Sequence, residues 1–174
     1  MSNFNERTRS VCTQIAQTNR EVPQHMRENP ENTELGWAVA EVLYLMGDTA
    51  AADILYWDGS FYPADDEWKH PLTGHQRCTG VVVAVTKSHV YRAIAAEDGE
   101  LKTTVQPLAL QSLTLTSLQV SFSSERDVEP YMPEVDIFFH DGSGIHLPIQ
   151  PGATDDTHTA VAKMLPELRS AITR

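Results

Sequence analysis

The chain has 174 residues, with 13 Lys+Arg against 24 Asp+Glu and a formal net charge of −11. That length suits one domain with room for an appendage, and is enough to bury a real core. The acid excess repels phosphate backbones and anionic headgroups, which argues against nucleic-acid and membrane partners, and no apolar run approaches the roughly 18–20 residues of a membrane helix.

The opening residues MSNFNERTRS lead into no apolar segment, so no secretory signal is expected. Two cysteines, Cys12 and Cys78, are too few for a disulfide framework. A cytoplasmic setting with reduced thiols follows as the expectation.

Residues 4–20, FNERTRSVCTQIAQTNR, favour a helix. Phe4, Val11, Cys12, Ile15 and Ala16 form a narrow apolar stripe along it. Residues 21–34 contain Pro23, Pro30 and two Asn, and read as a linker. Residues 1–34 are thus expected to be an N-terminal helix with its linker, and residues 35–174 a single β domain.

Residues 35–46, LGWAVAEVLYLM, fit either a strand or a buried helix. Leu35, Trp37, Val39, Leu43 and Leu45 alternate, which favours a strand over 41–46. A helix would use Asn32 or Thr33 near its N-cap and Gly47 as its stop. ILYW at 54–57 is a further short strand. Residues 58–78 then read as a long irregular loop, with two Pro, two Gly and few aliphatics. Loops of that length are often functional.

From residue 80 the pattern is regular. GVVVAV and HVYRAIA are strands, and Asp98-Gly99 marks a hairpin turn. LKTTVQPLAL and SLTLTSLQVSFSS continue the meander. VDIFFH and IHLPI flank a DGSG turn. Residues 154–173 close the chain as a helix, capped near Thr154 or Asp155. Its apolar face is Val161, Met164, Leu165, Leu168 and Ile172, and Pro166 should kink or split it.

These phrases resemble a known family. GVVVAVTKSHVYRA, VQPLALQSLTLTSLQV and VDIFFHDGSGIHLPI with its following helix are similar to the strands, turns and closing helix of bacterial pleckstrin-homology-like (PH-like) domains. The resemblance covers about residues 80–172, with 41–57 as the opening strands. It implies a mainly β, β+α fold: a bent antiparallel sandwich or partly open barrel closed by a C-terminal helix, here with an extra N-terminal helix. Phosphoinositide-binding members carry Lys and Arg between their first two strands. The matching segment here is Gly47–Asp53, with Asp48 and Asp53 and no base. The lipid function is therefore not carried over. The family's other use, binding a protein partner, is.

Three constellations are candidates for chemistry. Phe61, Tyr62 and Trp68 stand among acids in the 58–78 loop, a composition that suits an interface hot spot for a basic or mixed partner. His70, His75 and Cys78 in the same loop are zinc-type ligands without a finger spacing. A hairpin with its loop at Gly142-Ser143-Gly144 would place His140 opposite His146, with Asp136 two residues back, as a possible metal pair or pH sensor. Asp58, Asp65, Asp66 and Glu67 share only composition with a calcium loop. No G-x-S-x-G, H-E-x-x-H or phosphate-loop motif occurs. The sequence thus favours a non-enzymatic module without a cofactor, binding protein through the 58–78 loop, a strand edge or the N-terminal helix. Metal binding and self-assembly, including a homo-oligomer built on residues 4–20, are the alternatives.

Overall fold

The computed structural model describes residues 2–19, 22–65, 69, 74–108, 110–117, 133–149 and 153–172. Among the described residues the fold is mixed β and α, with two unclosed antiparallel sheets, of four and three strands, and a C-terminal helix. The chain divides into two compact units, residues 1–107 and 108–174. No described helix is long and apolar enough to cross a membrane.

The first unit opens with α1 (Ser2–Thr18) and the short α2 (Gln24–Glu28). A single 3-10 turn, Pro30–Asn32, leads into α3 (Glu34–Met46). Of the stripe expected on α1, Val11, Cys12, Ile15 and Ala16 are buried in the unit's core, and the Phe4 side chain lies outside what is described. The 21–34 segment is more than a linker, because Val22 and Met26 are buried in that same core.

Residues 34–46 are helical, so the strand favoured over 41–46 is corrected. Leu35, Val39, Val42 and Met46 recur at helical spacing and are buried, with Ala38 and Leu43 beside them. The Thr33 side chain accepts the Gly36 N–H at the N-cap, 3.4 Å away. Gly47 stops the helix at φ 56°, a left-handed conformation that costs glycine nothing. Gly36 also lets α3 approach the preceding turn, since a Cβ there would lie 2.2 Å from the Pro30 carbonyl oxygen.

Four strands follow as a meander: β1 (Ile54–Pro63), β2 (Cys78–Thr86), β3 (His89–Ala95) and β4 (Leu101–Pro107), in sheet order 1-2-3-4. The expected loop 58–78 is therefore shorter, because residues 58–63 extend β1 and Cys78 already starts β2. Thr86 Oγ1 accepts the N–H groups of Ser88 (3.3 Å) and His89 (2.9 Å) to form the β2–β3 turn. Asp98-Gly99 makes the β3–β4 turn as expected, with Gly99 at φ 86°. One sheet face brings Trp57, Phe61, Val82, Ala84, Tyr91 and Ala93 into the core shared with α1 and α3. Tyr56, Asp58, Val83, Val85 and Val90, on the alternate positions, are buried too. That is why GVVVAV reads as a continuous apolar run and not as an alternation.

The second unit holds β5 (Leu110–Ser117), β6 (Pro133–Phe139), β7 (Gly144–Leu147) and α4 (Asp155–Ala171). Val135, Ile137, Phe139 and Leu147 are buried, as are Val161, Met164 and Leu168 of α4. Two expectations for this helix are corrected. It is not split at Pro166: one helix runs through that residue, which removes a single backbone hydrogen bond. Ile172 is exposed, and Ala171 takes the buried place at that end.

The β6–β7 register also differs from the expected one. The turn is His140-Asp141-Gly142, with Gly142 at φ 84° and its N–H donated to the Phe139 carbonyl at 3.1 Å. Ile137 faces Ile145 and Asp136 faces His146. His140 and His146 are therefore not cross-strand neighbours. The slide is an even number of residues, so each side chain keeps its expected face.

Candidate interaction surface

The surface begins with an inconsistency in α3. A helix that buries one flank should be polar on the other. Here Trp37, Tyr44 and Leu45 stand on the other flank, with 44%, 80% and 48% of their surface exposed. Tyr44 is seven residues from Trp37 and three from Glu41, so these side chains follow one another along the helix. Two hollows border them. One, of about 460 Å³, is lined by Asn5, Glu6, Arg9, Glu31 and Trp37. The other, of about 520 Å³, lies between α3 and β4 and is lined by Ala40, Glu41, Tyr44, Leu45 and Thr103.

The sequence stretch that carries α3 is one-signed. Residues 28–68 contain ten Asp and Glu and no Lys or Arg. Arg9 of α1 reaches the edge of the surface and forms an ion pair with Glu31. That hydrogen bond holds the Glu31 carboxyl below its usual range. Glu41 accepts the Thr103 hydroxyl and so ties α3 to β4.

The aromatic residues expected to meet a partner separate. Phe61 is fully buried, under the helices and beside Gly80, where a Cβ would stand 2.5 Å from its ring. It is a core residue, and its assignment to a binding surface is corrected. Tyr62, the next residue on β1, points the other way and is 58% exposed. Trp68 lies outside the described residues.

His70 also lies outside the described residues. His75 stacks on His25 of α2, with ring centroids 4.5 Å apart and planes 12° from parallel. His25 Nε2 is 4.0 Å from Cys78 Sγ, and the Cys78 N–H donates to Glu34 Oε1 at 3.3 Å. The structure thus joins His75 and Cys78 through His25, a residue the sequence reading passed over in its linker. The nitrogen lone pairs of two stacked imidazoles lie in nearly parallel planes and do not converge on one point. Among the described residues, no three His, Cys, Asp or Glu side chains are grouped to hold a metal ion. Burial, then the Glu34 carboxylate, pushes the Cys78 thiol up to about 12. Burial does the same for Cys12, also to about 12. Both thiols are neutral at physiological pH and poor nucleophiles there.

Burial, then the neighbouring His75, lowers the pKa of His25, with Glu34 working against them. A lowered native value means that the unfolded chain takes up the extra proton. The contribution of the neutral ring is full above the ordinary value of about 6.5. It is lost as pH falls through the native value. Thermal unfolding between about pH 8 and about pH 5 should therefore show a steeper acid loss for the natural chain than for His25→Gln. Equal slopes would remove His25 from the acid response.

On the second unit, His146 Nδ1 lies 2.8 Å from Asp136 Oδ1, and its Nε2 lies 3.5 Å from Glu134 Oε2. His140 sits exposed in the turn. Asp58 belongs to no calcium-type loop. It is buried, accepting the Tyr56 hydroxyl at 2.7 Å and the Gly59 N–H at 2.7 Å. Burial, then the Asp58 carboxylate, drives the Tyr56 phenol far above its ordinary value. Gly47–Asp53, expected between the first two strands, instead joins α3 to β1. The β1–β2 connection is residues 64–77, where Asp65, Asp66 and Glu67 accompany Lys69 and Arg77. No protein-family model, curated protein or solved structure matches this chain.

Proposed function

We propose that this protein is a non-enzymatic interaction module that binds a protein partner through the exposed side of α3. The observation that carries the reading is the exposure of Trp37, Tyr44 and Leu45 on a helix whose other flank is buried. Exposed aromatic and aliphatic side chains grouped on a rigid element suit an interface centre. The acid-only stretch around them selects a partner that is basic as well as apolar. A PH-like architecture belongs to the same reading. Its support is the order of elements from β1 onward: sheets of four and then three antiparallel strands, followed by α4.

The test is a paired capture from lysate of the source organism, with the natural chain and with Tyr44→Ser/Leu45→Ser as baits. Exposed substitutions of this kind leave stability within about 0.5 kcal/mol, which urea unfolding checks first. Losing two central contacts should cost about 2 kcal/mol or more, a drop in affinity of roughly 30-fold. A partner retained by the natural chain and by Tyr62→Ser, but lost by the α3 double variant, is expected. The same proteins on all three baits would overturn the reading. A second copy of this chain is another possible occupant, and a mass by light scattering that falls in the double variant would identify it.

A further inference from the structure

We infer that the partner presents a basic, extended segment that adds as a fifth strand to the outer edge of β4, with its apolar side chains in the hollow beside α3. The inference rests on the reading of α3 as a protein contact and specifies what occupies it.

The sheet order places β4 at an edge among the described residues. Edge strands in natural proteins are commonly blunted by proline, charge or a bulge. In β4 the proline is Pro107, at the far end, and Lys102 is the charged residue. The β3–β4 register is regular, with no bulge from His89/Pro107 to Ala95/Leu101. Residues 103–105, Thr-Thr-Val, are β-branched and suit a pleated ladder.

The two faces of this edge differ. Leu101, Thr103 and Val105 pair with Ala95, Ala93 and Tyr91, which lie on the helix-covered face. Lys102 and Thr104 pair with Ile94 and Arg92 on the opposite face. On the helix side Val105 remains exposed, as Tyr44 and Leu45 do on α3, and Thr103 of the same face shares a hollow with them. A strand added beside β4, about 4.8 Å further out, would extend the sheet on the side where Thr103 of β4 meets Glu41 of α3. Its alternate residues would then enter the hollow lined by Ala40, Tyr44, Leu45 and Thr103. α3 packs on β2, β3 and β4, with α1 on β1, and Tyr44, Leu45 and Val105 leave apolar surface where a fifth strand would lie.

Charge fixes the character of the added segment. Glu41 is the charged residue in the hollow's wall, Asp48 follows α3, Asp53 is already paired with Lys87, and the sequence has no Lys or Arg between Arg27 and Lys69. An incoming Lys or Arg reduces that repulsion, and an acidic segment adds to it. Main-chain pairing supplies affinity, and alternate pockets supply selectivity, as in other strand-addition complexes.

The experiment is selection of a random 12-residue displayed peptide library on the full-length chain, with counter-selection on Tyr44→Ser/Leu45→Ser. Enriched peptides should carry apolar residues at every second position, interleaved with Lys or Arg. One such peptide, synthesised, should slow amide hydrogen exchange across Leu101–Val105 at least 10-fold. Methylating alternate peptide nitrogens should weaken its binding at least 10-fold. Three results would overturn the inference: an apolar spacing of three and four residues, an acidic consensus, or binding without protection of β4. If the α3 variant still loses its captured partner while the peptides fail in one of these ways, the extended-strand inference falls and the α3 contact stands. If neither the capture nor the selection depends on α3, both fall.

Discussion

Replacing Phe61 with alanine should destabilise the first unit by about 3–5 kcal/mol, read as a lowered urea midpoint with an unchanged slope. Phe61 is among the largest fully buried side chains. It sits on β1 opposite Gly80, which leaves room for the ring, in the core shared by the helices and the sheet. Deleting the ring opens a cavity that the neighbouring strands cannot close without breaking their ladder. Tyr62→Ala on the same strand should change stability by less than about 0.5 kcal/mol, because that side chain is in water. A loss of under 1 kcal/mol for Phe61→Ala would mean that the ring is not a core element and would restore it as a candidate contact.

The second large effect concerns the N-terminal helix. A chain starting at residue 22 should lose cooperative folding of the first unit, seen as a broad, shallow thermal transition by circular dichroism. Val11, Cys12, Ile15 and Ala16 are buried together with α3 and the sheet. Removing an Ile of this kind alone costs about 2–5 kcal/mol, against a total stability of about 5–15 kcal/mol for a domain. Two further contacts locate the helix. The Asn19 side-chain amide donates to the Gly59 carbonyl at 2.5 Å, and a Cβ on Gly59 would lie 2.8 Å from Ile15 Cγ2. A sharp transition with unchanged midpoint in the shortened chain would show that α1 is dispensable.

Much of this architecture is legible in the residues. The α1 stripe from Val11 to Ala16, the strands between residues 80 and 117 and the Asp98-Gly99 turn follow from local periodicity and turn chemistry, while residues 118–124 of the expected meander lie outside the described residues. So does the apolar series on α4, apart from its last member. The misreading of α3 has a local cause. Trp37 and Leu45 created the period of two that made 35–46 look like a strand, and both lie on the exposed flank of α3. Had those positions been polar, the helical period of Leu35, Val39, Val42 and Met46 would have stood alone. The residues that confused the reading are those now assigned to the partner, as expected where function overrides the local pattern. The β6–β7 register failed differently. Both Gly142 and Gly144 could close a three-residue turn, and the faces are identical in either case, so hydrophobic pattern could not choose between them. His25 meets His75 only through tertiary packing across 50 positions, which no local signal encodes.

The acid-only stretch has a practical consequence for chemical labelling. With no Lys or Arg between Arg27 and Lys69, the whole exposed flank of α3 lacks a primary amine. Amine-directed crosslinkers therefore have no residue to hold on α3 itself, and Lys102 on β4 is the amine the neighbouring edge supplies. Carbodiimide coupling reverses the chemistry, because Glu41 beside the hollow can be joined directly to a lysine of the partner. Trypsin spares the same stretch, so Glu28–Lys69 leaves digestion as one piece carrying all of α3 and any adduct formed on it.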